Sequence, residues 1–374
     1  MTSKSATTSV SRRKFLKTGA VAAGAATVGT LAMPQVSRAQ TVNFKFQSTW
    51  PTKDIFHEYA ADFVKKINDM SGGRLRVELL AAGAVVPAFQ LIDAVHNGIL
   101  DGGHGVSAYW FGKNKAFSLF GTGPALGMDA NQMLGWVRYG GGQALYDELV
   151  GQILKLNITG FLYGPMGTQP LGWFKKPITS PDGLKNIKYR TVGLSADMFK
   201  ALGTNVTILP GGEIVPALEK GLIDGAEFNN PSSDRLLGFT DVSKNLMVQS
   251  YHQPNESFEI LFNKGKFTGL PAELQALIRH AVDASSADMS WKAMDRYSKD
   301  MEAIKAAKVE VTKTPESVLK AQLAAWDGVV AEQSKDAFFK KVVDSQKAWA
   351  KRVVGFDLEY TVNPQLAFNH IFKA

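Results

Sequence analysis

Residues 42–48, VNFKFQS, alternate apolar and polar side chains as a strand with one buried face does. After a turn at Trp50-Pro51, Phe56, Tyr59, Ala60, Phe63, Val64 and Ile67 recur at three- and four-residue spacing. That predicts an amphipathic helix capped by Asp54 and stopped by Gly72-Gly73. Residues 74–80 predict a second strand, 89–96 a helix ending at Gly98, and Ile99-Leu100 lead into a third strand. The order β-α-β-α-β predicts a parallel sheet with right-handed crossovers.

The same order recurs. Residues 186–192 predict a strand, 195–202 a helix, 204–210 a strand, 214–220 a helix and 222–228 a strand. Ala94, Gly98, Ile99, Leu100, Asp101 and Gly102 align with Ala217, Gly221, Leu222, Ile223, Asp224 and Gly225 at a constant offset of 123, which sets His104 opposite Glu227. The expected fold is therefore α/β: two similarly built domains with a ligand cleft between their strand ends, plus long C-terminal helices. A helix over 131–154, broken at Gly140-Gly141-Gly142, and a strand over 157–163 lie between the copies. Beyond them, 246–251 and 258–263 read as strands returning to the first domain. Residues 271–308 carry two long amphipathic patterns, 309–314 a short strand, and 315–354 a helix-rich stretch with Trp326, Phe338, Phe339 and Trp349. The expected division is 40–162 with 249–292 as the first domain, and 163–248 with 293–374 as the second. The apolar stripe of the terminal helices fits either the protein's own core or a homodimer contact.

Composition changes this picture at the N-terminus. Ser11-Arg12-Arg13-Lys14-Phe15-Leu16-Lys17, an Ala/Gly-rich run over 18–33 and Ser37-Arg38-Ala39 form a twin-arginine export signal, cut after Ala39. The run is too short and glycine-rich to span a membrane. The signal holds six basic residues and no acidic one, so its removal takes the net charge from +8 to +2 and withdraws any case for nucleic-acid binding. The product is expected in the periplasm, built without cysteine.

Catalytic signatures are missing. The chain has no CxxC, HExxH, GxSxG or phosphate-cradling glycine loop, and its six histidines lack zinc-ligand spacing. Anion-binding chemistry is better represented. Arg190 lies near the carboxyl end of an apolar strand, where a guanidinium needs an anion and can grip a carboxylate bidentately; a protein carboxylate would serve as well as a ligand. Glu227 ends the last apolar run of the second copy, either as a site residue or as half of an ordinary ion pair. Gln169 sits in a glycine-bounded turn before an aromatic strand, and Tyr109-Trp110 follow the third strand, where they can wall a ligand or simply pack.

Gly167-Thr168-Gln169…Gly172-Trp173-Phe174, Leu184-Lys185-Asn186-Ile187-Lys188-Tyr189-Arg190 and Pro210-Gly211-Gly212-Glu213-Ile214…Gly221…Ile223-Asp224-Gly225-Ala226-Glu227 closely resemble the solute receptors of tripartite ATP-independent periplasmic (TRAP) transporters. The form of these motifs is similar to the branch that binds 2-oxo acids and lactate with a metal ion. The resemblance implies that Arg190 grips the substrate carboxylate. It also implies a cation, Na⁺ or Ca²⁺, held by Gln169, Glu227, the backbone carbonyl of Phe228 and the side chain of Gln253. Two positions depart from the family pattern: Phe228 stands where Trp is common, and His252-Gln253-Pro254 where Trp-Glu-Pro is common. The loop over 229–234 departs as well. The implied function is a periplasmic receptor, not an enzyme, that closes on a small organic acid and delivers it to an integral-membrane permease. An exported enzyme acting on small acids and a ligand receptor for a membrane sensor remain the alternatives.

Overall fold

The computed structural model describes residues 41–373; the expected signal at 1–39 and the paired arginines within it lie outside them. Asp54 Oδ1 accepts from Phe56 N at 3.1 Å and starts the helix Ile55–Met70. Its Ile55, Phe56, Tyr59, Ala60, Phe63, Val64 and Ile67 face is buried as the spacing predicts. Full burial of one large apolar side chain stabilises by about 1.5–3 kcal/mol, so this face alone holds the helix on the sheet.

That sheet comprises β1 (Val42–Ser48), β2 (Leu75–Leu80), β3 (Gly102–Gly105), β4 (Ile158–Met166) and β10 (Glu256–Asn263), in the order β2-β1-β3-β10-β4. The first three strands are parallel and β10 is antiparallel to both β3 and β4. A second sheet holds β5 (Gly172–Phe174), β6 (Lys188–Arg190), β7 (Asn205–Thr207), β8 (Gly225–Ala226), β9 (Asn245–Val248) and β11 (Glu310–Lys313), in the order β11-β9-β5-β8-β6-β7. Read from β7, its order matches that of the first sheet: three parallel strands with the third-copy strand on the inner side, then two antiparallel neighbours. The repeat seen in the sequence is thus a repeat of topology.

Three expectations need correction. The strand expected over 222–228 is two residues long. After Gly221, at φ +67°, Leu222 is exposed and Asp224 uses its carboxylate to accept from Lys188 N at 3.0 Å, so the run is spent on a turn and a strand-edge cap. The strand expected to return to the first sheet over 246–251 is β9, which pairs with β5 and β11 in the second; β10 alone of the two returns. The two amphipathic patterns of 271–308 form one unbroken helix, Ala272–Ala306, packed on β4, on Ile55–Met70 and on the second-sheet helix Pro231–Leu237.

The helix Ala272–Ala306 carries the chain from β10 to β11, and two short crossings also join the sheets, 167–171 between β4 and β5 and 249–255 between β9 and β10. They run side by side: Gln169 N donates to Gln253 O at 3.1 Å and Thr168 Oγ1 to Pro254 O at 2.9 Å. The helix Ala337–Tyr360 lies against the first-sheet side, where Gln346 Nε2 donates to Leu119 O and Trp349 Nε1 to Gln132 O. Trp326 and Phe339 finish the core, but no described residue after Val354 is buried. No helix among the described residues is long and apolar enough to cross a membrane.

Candidate functional site

The carboxyl end of β6 delivers Arg190, and the chain leaving β8 delivers Glu227, Phe228 and Asn229. Arg190 is buried at 1% exposure, a position that demands an anion. Its Nη1 donates to Glu227 Oε1 at 2.9 Å and to Glu227 O at 3.1 Å, and its Nε donates to Leu209 O at 2.8 Å. Nη2 has no partner. Both sequence readings of Arg190 are therefore met in part: it is paired to a protein carboxylate, and one nitrogen of its fork remains for a ligand. The bidentate grip expected from sequence is not available while Nη1 serves Glu227.

Glu227 is likewise half engaged. Oε2 is buried without a hydrogen bond, and the Thr191 hydroxyl nearby lies outside bonding geometry. Burial pushes the carboxyl up to about 7, against the pull of Arg190 and, more weakly, Thr191.

The crossings supply the amides. Gln169 Nε2 donates to Glu256 Oε2 at 2.7 Å, which leaves Gln169 Oε1 without a partner. Gln253 is fully buried and both its Oε1 and Nε2 are unpartnered. Asn229 Nδ2 also donates to Glu256 Oε2 at 2.7 Å, and Asn230 Nδ2 holds Asn229 Oδ1 at 3.1 Å. Burial first, then repulsion from Glu227, pushes Glu256 up to about 8.

From the other sheet, Trp50, Phe56, Val106 and Tyr109 close the space over these groups. The Tyr109 hydroxyl accepts from Gly211 N at 3.2 Å, a bond between the two halves of the molecule. Gly211 has to be glycine here, because a Cβ would meet the Phe228 ring at 2.5 Å. That ring sits 5.9 Å from the Arg190 Cζ and packs between Phe56 and Phe239.

These side chains line a space of about 230 Å³ that is partly open to solvent. The expected residues Tyr109, Gln169, Arg190, Glu227, Phe228 and Gln253 all line this one cavity. His104 does not join them. It is buried behind, taking Trp50 Nε1 at 2.8 Å on Nδ1 and meeting the Tyr163 hydroxyl through Nε2. Burial lowers it to about 3, so it is neutral.

Glu256, Asn229 and Trp50 escaped the sequence reading. The signal for Glu256 was present: an acid heading the apolar run ESFEILFN must, once that run is a central strand, be buried. The unpartnered atoms sort by chemistry. One cationic nitrogen, Arg190 Nη2, suits an anion, while Glu227 Oε2, Gln169 Oε1 and Gln253 Oε1 are hard oxygen donors of the kind that hold Na⁺ or Ca²⁺. No group of three or more His, Cys, Asp or Glu side chains placed to hold a metal ion occurs among the described residues, so any cation here leans on amide and carbonyl oxygens beside Glu227.

Residues 46–338 match the profile of the bacterial extracellular solute-binding proteins, family 7. A monocarboxylate 2-oxoacid-binding periplasmic protein of Nostoc sp. is 30% identical over 351 residues, 92% of this chain and 95% of that one. Two solved structures share the architecture. A TRAP transporter solute-binding protein from Bordetella bronchiseptica, a dimer with copurified calcium and picolinate in one site and the other apo, superposes with a TM-score of 0.83 at 28% identity, covering 89% of this chain and 98% of that one. A TRAP periplasmic solute-binding protein from Pseudoalteromonas atlantica with bound sodium and pyruvate superposes with a TM-score of 0.81 at 29% identity, covering 86% of this chain and 97% of that one.

Proposed function

The chain belongs to family 7 of the bacterial extracellular solute-binding proteins, the receptors of TRAP transporters, and on that premise we propose that its cavity captures a 2-oxo or 2-hydroxy monocarboxylate together with Na⁺ or Ca²⁺. The observation that carries the reading is the set of unpartnered buried atoms, Arg190 Nη2 on one side and Glu227 Oε2, Gln169 Oε1 and Gln253 Oε1 on the other. A buried donor or acceptor without a partner costs about 1–3 kcal/mol, and here a ligand supplies the partners. Arg190 Nη2 takes a carboxylate oxygen. Gln169, Glu227, Gln253 and the carbonyl of Phe228 would hold the cation, which would supply positive charge to the oxygen-rich side of the cavity. Tyr109 and Trp50 close the space from the first sheet.

Capture is by closure of two domains, 40–162 with 249–292 against 163–248 with 293–374, the helix Ala337–Tyr360 of the latter lying back on the former. The loaded receptor then hands its ligand to an integral-membrane permease. Export by the twin-arginine route completes the reading, supported by Ser11-Arg12-Arg13 and the Ser37-Arg38-Ala39 cleavage pattern. A homodimer through the C-terminal helices is supported by Phe356, Leu358, Tyr360, Leu366, Ile371 and Phe372, each more than 60% exposed.

Thermal melting of the exported protein against a panel of monocarboxylates tests the ligand class. A ligand at a thousandfold excess over Kd adds about 4 kcal/mol of stability. Pyruvate or lactate at that excess is expected to raise the melting temperature by several degrees, and absence of a shift with every monocarboxylate, with cations present, would overturn the assignment.

A further inference from the structure

We infer that the ligand cavity has a second compartment, an apolar pocket behind Tyr109 that receives the hydrocarbon tail of the bound acid and admits monocarboxylates with branched aliphatic side chains. The inference rests on the cavity being the carboxylate site proposed above.

The two spaces share walls. Tyr109 and Val192 line the ligand cavity and also line a neighbouring space of about 660 Å³, partly open to solvent. The Tyr109 ring is the partition. Its centroid lies 5.7 Å from that of Trp50, which faces the cavity, and it meets Phe89, which faces the second space, edge-on at 4.8 Å. Phe89, Trp110 and Phe111 come from the first half of the molecule, and Val192 and Ile208 from the second. One aromatic ring therefore separates the carboxylate end of a ligand from room for its tail.

Chemistry selects the occupant. The polar side chains around this pocket are already engaged. The Tyr109 hydroxyl accepts from Gly211 N at 3.2 Å, Trp110 Nε1 donates to Glu259 Oε2 at 2.5 Å, and Lys113 Nζ pairs with Asp93 Oδ1 at 2.6 Å, both of the last two part-exposed. What remains is apolar surface, including Ile208, which is 38% exposed. A polar tail would lose its water here without gaining a side-chain partner, whereas each methylene removed from water is worth about fourfold in affinity. The hydroxyl bond to Gly211 N holds the Tyr109 ring across the opening. A neutral hydrogen bond contributes about as much as one or two buried methylenes, so a tail of roughly four carbons more than offsets displacement of the ring.

The test is isothermal titration of pyruvate and of 4-methyl-2-oxopentanoate into the exported protein, with Na⁺ and Ca²⁺ present, for wild type, Ile208→Trp and Tyr109→Ala. Wild type is expected to bind the branched acid at least as tightly as pyruvate. Ile208→Trp, which fills the pocket from its part-exposed wall, is expected to weaken the branched acid at least tenfold and to leave pyruvate within twofold. Tyr109→Ala removes the partition and is expected to shift the preference towards the branched acid at least tenfold. Should Ile208→Trp fold poorly, Ile208→Ser, which only shortens that wall, is expected to weaken the branched acid threefold or more with pyruvate unchanged. A wild type that binds the branched acid more weakly than pyruvate overturns the compartment and leaves carboxylate capture intact. So does a substitution at 208 that weakens both acids alike or neither, or an unchanged preference in a folded Tyr109→Ala. Absence of binding of both acids to wild type overturns the carboxylate site itself.

Discussion

The two sheets carry the same pair of register positions and use them differently. In the first, Phe46 and Gln47 of β1 pair with Gly102 and Gly103 of β3; in the second, Tyr189 and Arg190 of β6 pair with Gly225 and Ala226 of β8. Gln47 thus corresponds to Arg190 and His104 to Glu227. Gln47 is fully buried and fully bonded, accepting from Val85 N and Val86 N and donating to Val86 O. His104 is saturated by Trp50 and Tyr163. Arg190 and Glu227, at the same places, each keep one buried atom with no partner. A fully bonded polar pair rigidifies a lobe, whereas a half-bonded one is tolerated where a ligand completes it. The duplicated scaffold therefore has one copy specialised for support and one for capture.

The sharpest way to break that comparison is to truncate both members. Arg190→Ala leaves Glu227 buried and uncompensated, at a cost of about 3–5 kcal/mol, and is expected to abolish the melting shift with every monocarboxylate. Gln47→Ala is expected to cost about 1–3 kcal/mol for the groups left unbonded at Val85 and Val86, with the ligand shift retained. Denaturant titration with and without ligand separates the two outcomes. A ligand response that survives in Arg190→Ala, or dies in a folded Gln47→Ala, would erase the division between the sheets.

Glu227→Gln is a milder version of the same cut. The amide oxygen can still accept from Arg190, but the charge that the proposed cation needs is gone. Monocarboxylate affinity is expected to fall tenfold to a hundredfold, about 1.4–2.8 kcal/mol, and the remaining binding to become insensitive to chelator. Titration calorimetry with and without chelator reads this directly; unchanged chelator sensitivity would remove Glu227 from the cation site.

The duplicated architecture was legible from residues because its repeated side chains do repeated work. Asp101 Oδ2 accepts from Lys45 N at 2.8 Å, and Asp224 Oδ2 from Lys188 N at 3.0 Å. The aligned aspartates are strand-edge caps, and Gly98 and Gly221 are the left-handed helix stops before them. Arg190 and Glu227 were legible as candidates because charged groups in apolar runs need a reason to be there. Their mutual bond was not, since it joins strands through a register that spacing along the chain does not encode. Glu256 was hidden for the same cause: its partners Gln169 and Asn229 are 87 and 27 residues away. The family resemblance pointed to Gln253 at this edge of the cavity, where the family commonly has Glu, and the carboxylate that fills it lies three residues further along the chain.

A pH scan compares two buried acids, one from each sheet. Glu259 on β10 is buried and saturated by the Tyr146 hydroxyl and by Trp110 Nε1 at 2.5 Å, and burial pushes it up to about 7, as it does Glu227. A carboxyl whose pKa is raised on folding holds its proton more tightly in the folded state. Its contribution is therefore complete below the unfolded value of about 4.3 and is lost as pH rises through about 7. The ligand-free protein should lose stability over that window. Glu259→Gln should flatten its share without changing ligand affinity, and bound carboxylate with cation should cancel the share of Glu227. A ligand-free stability that rises between pH 5 and 7 would show that these acids are charged and compensated by other means.

The smallest effect on capture is expected furthest from the comparison. The described residues after Val354 bury no side chain, and they carry Phe356, Tyr360, Phe368 and Phe372 into solvent. Truncation after Val354 removes no bond of the cavity, since Gln346 and Trp349, which tie the terminal helix to Leu119 and Gln132, both precede the cut. Carboxylate affinity should stay within twofold of the full chain, while the mass in solution, read by light scattering, tests the proposed homodimer by its expected fall from dimer to monomer. An affinity loss beyond tenfold would mean that the exposed helix braces the closed state, and the supporting role now given to Gln47 and His104 would have to be shared with it.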